Sequence, residues 1–286
     1  MRTIPQLIGV LTLLALIVFG ASKYDAQESH NDLRVWFFDV GQGDAILLDT
    51  PENQQILIDG GPDGSILREL NKALPFTDKD IDLVIVTHNH ADHITGIVEV
   101  LRHYQVKEIW LTGAIHTTNI FRTMLEEINK RGVKAEVVAA GKTINFGNLG
   151  GIVLYPLEAK TGSTPEDQNA LSLVTFWQYG GTTLLMTGDA GVEQESELLG
   201  RQLLRSTTIL KVGHQGSHTS SSEAFLKLIQ PKVGVISVGA KNQYGHPHQD
   251  VLDRYLSLGI PLLRTDQDGT IRFDITLEGY SYKTGL

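Results

Sequence analysis

The sequence predicts an α/β protein with mixed β-sheets and helices on the outside. Three observations support this. Apolar, β-branched runs end in glycines or polar clusters, as buried strands do. Helical patterns alternate with such runs in both halves of the chain, and the middle section reads as consecutive β segments linked by glycine turns. Because both halves run from strands into alternating strands and helices, the pattern favours two packed sheets flanked by helices.

In the first half, two strands flank the glycine-bearing turn "VGQG", and later strands alternate with three helices. Ile66, Leu67, Leu70 and Leu74 recur at helical spacing, which predicts the first helix. The predicted elements are strands at 34–39, 44–49 and 54–61, a helix at 64–74, a strand at 82–87, a helix at 94–104, a strand at 107–113, a helix at 119–131 and a strand at 134–140.

The second half begins with hairpin-like β segments and then returns to alternating strands and helices. No interior stretch reads as a linker, so residues 31–286 are predicted to form one domain. The predicted elements are β segments at 143–157, 170–180 and 182–190, a helix at 192–204, a strand at 208–213, a helix at 222–230, a strand at 233–239, a helix at 250–259 and closing β segments at 261–265 and 270–277.

Residues 1–30 are predicted to be a signal peptide, or a single N-terminal membrane anchor, with a short linker. Residues 4–21 carry no charge, and a polar stretch follows abruptly. A buried N-terminal helix is the alternative. The prediction is therefore an exported protein, either secreted or anchored to the outer face of the cytoplasmic membrane.

Composition excludes several classes of protein. The 286 residues include no cysteine, which rules out disulfides, thiolate zinc sites and cysteine nucleophiles. The formal net charge of −9 argues against a protein that coats nucleic acid through bulk charge, since phosphate contacts need lysine and arginine. Local binding in a cleft stays open, because a bound metal can supply positive charge there.

Seven of the ten histidines fall in three short stretches that follow predicted strands. Because the ends of neighbouring strands meet at one rim of a sheet, we expect these side chains to lie close together. Imidazole and carboxylate groups without sulfur suit Zn²⁺, Mn²⁺ or Fe, and suit Ca²⁺ poorly. The histidines are His88, His90 and His93 in "THNHADHITG", His214 and His218 in "GHQGSH", and His246 and His248 in "GHPH".

Single residues at such positions have ordinary structural explanations. Asp189 in "LLMTGDAG" follows a strand and precedes a helix, so taken alone it reads as a helix N-cap. His214 taken alone reads as a polar turn residue. The cluster that includes Asp92 differs, since three histidines and an aspartate within six residues predict a metal site.

The pattern His88-x-His90-x-Asp92-His93 after a strand is the signature of the metallo-β-lactamase superfamily. More narrowly, the chain resembles the metallo-β-lactamase-like domain of ComEC-type competence proteins. The resemblance runs in order from about residue 34 to 274. The matching stretches are "FFDVGQGDAILL", "ILIDGG", "VTHNHADHITG", "LLMTGD", "LKVGHQGSHTSSS", "VISVGAKNQYGHPHQDVL" and "TDQDGTI".

This resemblance implies an αββα sandwich of two mixed β-sheets flanked by helices. It assigns His88 and His90 to one metal position and Asp92, His93 and His214 to a second. Asp189 would bridge the two positions. Asp59, at the end of the "LIDGG" strand, would orient the histidine loop, although a plain turn carboxylate is an equal alternative.

Two departures from the family pattern bear on the number of ions. Many members have a further histidine before the bridging aspartate, and here Asn169 stands in the corresponding loop. ComEC-like chains usually have a second histidine after His214, and here the residue is Gln215. The expected cofactor is therefore Zn or Mn, as one or two divalent ions.

A metal with an open position makes a hydroxide nucleophile from water, so the sequence predicts a metal-dependent hydrolase. The favoured reaction is phosphodiesterase or nuclease-type cleavage, with DNA as one candidate substrate. Asp92 would orient or deprotonate the water, and His218 and His246 would stabilise charge or protonate the leaving group. Lys211 and His248 are predicted to bind substrate. Structural turns remain equal alternatives for His218, His246 and His248.

Three other functions stay open. A phosphorylcholine-esterase-like enzyme would use the same site on a small head group. A β-lactamase or lactonase is possible within the superfamily, and a non-catalytic binding module holding a structural metal belongs to a different class. No obligate protein partner can be deduced from the sequence.

Overall fold

The computed structural model describes residues 30–286, which fold into two β-sheets with helices on their outer faces. The strands, in chain order, are β1 (Leu33–Phe37), β2 (Ile46–Asp49), β3 (Gln55–Ile58), β4 (Asp80–Ile85), β5 (Gln105–Leu111), β6 (Lys134–Val137), β7 (Thr143–Phe146), β8 (Leu149–Tyr155), β9 (Val174–Tyr179), β10 (Thr182–Met186), β11 (Ile209–Lys211), β12 (Val233–Ile236), β13 (Leu262–Arg264), β14 (Ile271–Ile275) and β15 (Tyr280–Lys283).

Both sheets are mixed. The first has the order β15-β14-β1-β2-β3-β4-β5-β6, and the second has the order β13-β12-β11-β10-β9-β8-β7. Strands β3 to β6 of the first sheet run parallel to one another, as do β10 to β13 of the second. The remaining pairs are antiparallel. Each sheet therefore joins an antiparallel half to a parallel half.

The helices cover the two outer faces. Three pack on the first sheet: α1 (Ser65–Ala73), α2 (Ala91–His103) and α3 (Asn119–Arg131). Three pack on the second sheet: α4 (Val192–Gly200), α5 (Glu223–Ile229) and α6 (Gln249–Ser257). A single turn, α7 (Thr265–Asp268), leads into β14.

The alternation of side chains along the strands explains the layers. Val35 and Phe37 of β1 point into the core between the sheets, whereas Trp36 and Phe38 face the helices. Successive side chains of a strand point to opposite faces, and each fully buried apolar side chain contributes about 1.5–3 kcal/mol. A strand that is apolar on both faces is therefore buried between two layers. The predicted αββα sandwich of mixed sheets is confirmed.

The structure adds two elements that the sequence did not predict, α7 and β15. It also begins α2 at Ala91, which puts Asp92 and His93 in the first helical turn. Within residues 30–286, no helix is both long enough and apolar enough to cross a bilayer. The signal peptide or anchor predicted for residues 1–30 falls almost wholly outside the described residues and stays a prediction.

Candidate metal centre

The parallel halves of the two sheets bring the predicted site residues together. Asp59 follows β3 and the histidine loop follows the adjacent β4, while Asp189 follows β10 and His214 follows the adjacent β11. Strand ends from both sheets therefore meet at one edge of the sandwich. One ligand atom from each of three buried residues there, His88, His93 and Asp189, lies within 4.8 Å of the other two.

Asp189 of this group lines a cleft with a volume of about 420 Å³. Loops from both sheets contribute to its walls, so the cleft exists only in the assembled sandwich. The residues that line it are Gln42, His90, Ala91, Asp92, His116, Thr118, Asn169, Asp189, His214, Gln215, Tyr244 and His246.

Asp59 fixes the histidine loop through hydrogen bonds to its buried carboxylate. It is fully buried and has a left-handed backbone with φ of 56°. Its carboxylate accepts hydrogen bonds from the backbone N–H of Thr87 at 2.8 Å and from the Thr87 hydroxyl at 2.6 Å. It also accepts from His93 Nδ1 at 2.8 Å. Because a carboxylate only accepts, the His93 proton is on Nδ1, and Nε2 is available to a metal.

His88 and His90 are the residues predicted to form the first metal position. The Nε2 atom of His88 lies 3.0 Å from Nδ1 of His90. Burial lowers the pKa of both side chains, and for His88 it lowers it well below the usual value. Both imidazoles are therefore neutral, which is the form that binds metal ions. Ser172 lies 3.4 Å from His88 Nδ1 and accepts the backbone N–H of Asp189, so it links the two sides of the position.

Asn169 offers a candidate oxygen ligand at the wall of the same cleft. The residue begins a short 3₁₀ turn, Asn169–Leu171, and lines the cleft beside His90 and Asp189. Its Oδ1 atom is buried and has no hydrogen-bond partner among the described residues. A buried acceptor without a partner is costly, and a cation bound by the neighbouring groups would satisfy it. The Oδ1 atom of Asn169 therefore fits the role of an oxygen ligand to a bound cation.

The residues predicted to form the second metal position are Asp92, His93, Asp189 and His214. The Asp189 Oδ2 atom lies 3.4 Å from His93 Nε2 and 3.9 Å from His214 Nε2, and Asp92 Oδ2 lies 3.7 Å from His93 Nε2. Burial opposes the charge of Asp189, but His93 and Lys211 hold its pKa well below the usual value. Asp189 is therefore an ionised carboxylate that faces both positions, as a bridging ligand must.

This set of nitrogen and oxygen donors fits a divalent ion. Within residues 30–286, His88, His93 and Asp189 form one of two compact groups of metal-binding side chains, and the other consists of Asp44, Asp59 and His93. Imidazole with carboxylate and no thiolate is a donor set that Zn²⁺ and Mn²⁺ accept. The structure supports binding of a divalent metal, and the predicted identity of the ion stays a prediction.

Lys211 is placed differently from what we predicted. It is fully buried, and its ammonium lies 2.5 Å from Asp44 Oδ2, 2.9 Å from the carbonyl oxygen of Gly188 and 3.5 Å from Asp189 Oδ1. Burial opposes its charge, but Asp44 and Asp189 raise its pKa above the usual value. The expected contact with substrate is wrong, because this ammonium has no exposed surface. Lys211 instead pairs with the buried carboxylates of Asp44 and Asp189.

The remaining predicted histidines lie at increasing distance from the metal positions. His246 lines the cleft with its ring centroid 5.5 Å from that of His214. His248 lies 4.9 Å beyond His246, and His218 lies 4.7 Å beyond His248, so these two border His246 rather than the cleft. Burial, followed by the neighbouring histidines, lowers the pKa of His246 to about 4. His246 is therefore neutral near pH 7.

Several residues that sequence reasoning did not assign also meet at the site. His116 lines the cleft with its ring 6.0 Å from that of His90. The sequence pattern places Asp44 only in a strand and assigns no role to Ser172. Gln42 lies in the "VGQG" turn, and Gly43 lets that turn approach closely, because a Cβ there would lie 1.9 Å from the backbone oxygen of Asp92. The glycines of that turn were the available signal.

Comparison with known proteins agrees with this geometry. The sequence profile of the metallo-beta-lactamase superfamily matches residues 38–240. The chain is 31% identical to ComE operon protein 3 of Bacillus subtilis over 289 aligned residues, which cover 95% of this chain and 36% of that protein. It is 30% identical to competence protein ComA of Neisseria gonorrhoeae, with 95% of this chain and 37% of that protein covered. The chain thus spans little more than a third of the length of these relatives.

Among solved structures, the chain is similar to Igni18, a metallo hydrolase from the archaeon Ignicoccus hospitalis. The TM-score is 0.55 at 18% sequence identity, and the match covers 85% of this chain and 100% of Igni18. At this identity the likeness concerns the fold. Together with the sequence matches, it confirms the resemblance inferred from the histidine motif.

Proposed function

The chain belongs to the metallo-β-lactamase superfamily and is a metal-dependent hydrolase related to ComEC-like proteins, and from this premise we propose that it is an exported phosphodiesterase. The observation that carries the proposal is the convergence of the His88 and His93 imidazoles on the ionised carboxylate of Asp189, which lines a cleft open to substrate. A divalent ion in this setting activates water and neutralises the charge that develops on a phosphoryl group.

Asp92 is the residue we assign to the attacking water. Its side chain is 31% exposed and lines the cleft, whereas Asp189 is almost fully buried. A carboxylate at the cleft wall orients a water molecule and accepts its proton. Asp92 also lies in the first turn of α2, where the helix dipole stabilises its negative charge.

His246 is assigned to the substrate's phosphoryl oxygen. Its Nδ1 atom is buried with no hydrogen-bond partner among residues 30–286, so the imidazole retains hydrogen-bonding capacity. With a pKa of about 4, the side chain is neutral. It therefore offers a hydrogen bond and carries no positive charge. It therefore suits stabilisation of an oxyanion better than protonation of a leaving group.

The charges around the cleft favour a substrate bound over a short length. Lys211 is buried, and Arg264 donates to both carboxylate oxygens of Asp266, at 3.0 Å and 2.7 Å. Neither is available to track a nucleic-acid backbone, and tight binding along such a backbone needs several phosphate contacts. DNA remains the first candidate because one relative is named competence protein ComA, and the enzyme would bind DNA only near the scissile phosphate.

A head-group phosphodiester is the second candidate. Tyr244 lines the cleft with 56% of its surface exposed, and its ring stacks on that of His246 at 5.7 Å. An exposed aromatic face beside a phosphoryl site is suited to a quaternary ammonium group. Activity of the phosphorylcholine-esterase type is therefore compatible with the same metal centre.

The test uses the purified full-length protein loaded with Mn²⁺ or Zn²⁺. Metal content is measured by elemental analysis, and cleavage is followed with bis(p-nitrophenyl) phosphate, single-stranded DNA and p-nitrophenyl phosphorylcholine. We expect the generic diester to be cleaved and the other two to rank the candidate substrates. Metal binding without cleavage of any of the three would overturn the phosphodiesterase proposal.

Variants locate the reaction. His88→Ala and Asp189→Ala should abolish cleavage, while His103→Ala should leave it unchanged because His103 is exposed at the end of α2. Wild-type rates in the first two variants would show that the reaction occurs elsewhere.

Export is proposed from residues 4–21, which carry no charge. The mass of the mature protein distinguishes a cleaved signal peptide from a retained anchor. A full-length chain recovered from the cytosol would contradict export.

A further inference from the structure

The side-chain amide of Gln215 lies among the ligands of the second metal position. Gln215 is buried, and its Nε2 atom donates to Asp92 Oδ2 at 3.0 Å and to Asp189 Oδ2 at 3.3 Å. The same nitrogen lies 3.5 Å from His93 Nε2. Two carboxylates and an imidazole thus converge on one neutral NH₂ group. Such a set of side chains is typically the coordination shell of a cation.

The orientation of this amide is determined by its partners. The carboxylates of Asp92 and Asp189 only accept hydrogen bonds, so they must face the NH₂ group of Gln215. On the other side, Gln215 Oε1 accepts from Nε2 of Gln42. The Oε1 atom of Gln42 in turn accepts the backbone N–H of Gly239 at 3.1 Å. Each amide therefore has one arrangement that satisfies all of its neighbours.

The backbone also directs Gln215 into the site. His214 and Gln215 both have left-handed conformations, with φ of 46° and 53°. Residues other than glycine adopt this conformation rarely, and it persists only where the surroundings enforce it. Here the strained turn after β11 aims His214 and Gln215 at Asp189 from two directions.

We propose that Gln215 governs occupancy of the second metal position, so that the protein binds one divalent ion tightly and a second one weakly. The tight position uses His88, His90, Asn169 and Asp189, and of these only Asp189 is hydrogen-bonded to Gln215 among residues 30–286, through Oδ2, which accepts from Gln215 Nε2. Filling the other position requires the Gln215 amide to leave Asp92 and Asp189 and to break its bond with Gln42. The inference concerns metal binding and does not depend on which ester is hydrolysed.

The test is titration of the metal-free, full-length protein with Mn²⁺, with free Mn²⁺ measured by electron paramagnetic resonance. The wild type should bind one ion tightly and a second one more weakly. Gln215→His replaces the NH₂ group with a ligand nitrogen, and should tighten the second ion by about 10- to 100-fold, the range typical of changes close to a metal. The first affinity should stay unchanged.

Two further variants separate this effect from trivial causes. Gln42→Ala removes the donor that fixes Gln215 Oε1 but keeps every proposed ligand, so it should tighten the second ion to a smaller extent. Gln178→His adds a histidine on an exposed position of β9 and should change neither affinity. Should Gln215→His fail to fold, Gln42→Ala still decides the matter.

Two results would overturn the proposal. One is a wild type that binds two ions with equal affinity. The other is a second affinity that stays at the wild-type value in both Gln215→His and Gln42→Ala. Because hydrolysis is not measured, a failure here leaves the phosphodiesterase proposal intact, and an inactive but metal-binding protein leaves this one intact.

Discussion

Asp59→Asn tests whether the metal centre depends on a group that never touches the metal. Asp59 is fully buried and accepts three hydrogen bonds, two from Thr87 and one from His93. Asparagine has the same shape but one donor end. If its NH₂ group faces His93, it must donate to Nδ1, and the ring proton moves to Nε2, the atom that should bind the metal. If the amide is reversed, its NH₂ group faces the backbone N–H of Thr87.

The magnitude follows from these contacts. Loss of a carboxylate that orients a ligating histidine costs about 10- to 100-fold in metal affinity, which corresponds to about 1.4–2.7 kcal/mol of binding free energy. In the metal-free protein, a buried donor left without its acceptor lowers the free energy of unfolding by about 1–3 kcal/mol. Both effects should appear together, because the same carboxylate holds the loop and the imidazole.

The assay is competition with a chelator for Mn²⁺, combined with urea unfolding of the metal-free protein. Asp63→Asn is the matched control, since Asp63 is exposed in the next turn and accepts only the backbone N–H of Ser65. An Asp59→Asn variant with the metal affinity of the wild type would refute the reasoning. Weaker binding in Asp63→Asn would show that the loss is not specific to Asp59.

Three further changes test other parts of the structure. Lys211→Met should lower the free energy of unfolding by about 3–5 kcal/mol, because it leaves buried carboxylates without their cation. The control Lys241→Met, at an exposed lysine, should have little effect, and equal urea midpoints for the two variants would contradict the prediction. Gly96→Ala places a Cβ 1.8 Å from a backbone oxygen of the turn after β3 and should cost at least about 1–3 kcal/mol, while Gly200→Ala, which has open space around it, should not lower the melting temperature. For His30, burial opposes the charge but the bonded carboxylate on β2 raises its pKa above the usual value. The stabilisation is therefore full below a pH of about 6.5 and is lost as the pH rises through the raised pKa. His30→Ala should be less stable than the wild type in acid but not at pH 9, and a difference in unfolding free energy that does not change with pH would refute the assignment.

The elements that the sequence predicted are those with a strong local pattern. The helix at 119–131 was predicted with the bounds that the structure has, and strands such as β4 and β12 carry continuous apolar runs. β15 was not predicted because its residues are largely exposed and join the sheet through backbone pairing with β14. A strand held by its neighbour's backbone leaves little trace in its own side chains.

The clustering of the candidate metal ligands was predictable because histidines and aspartates at strand ends carry chemistry that few other patterns explain. The supporting contacts were not. Asp44 and Lys211 form a buried pair although they lie far apart in the sequence, and neither residue type nor local spacing signals it. The burial of Lys211 depends on the meeting of both sheets, so a basic residue beside a motif was mistaken for a substrate contact.

The charges of the site explain why one ion can suffice. Asp44, Asp92 and Asp189 each lie within 4.0 Å of His93, and the buried carboxylates among them need compensation. Lys211 compensates Asp44 and Asp189 from below, and the amide of Gln215 donates to Asp92 and Asp189 from the cleft side. Protein groups thus already meet part of the demand that two metal ions would otherwise satisfy. A chain with a ligating histidine in place of Gln215 would lack the second of these contacts, and its carboxylates would depend more strongly on a second ion.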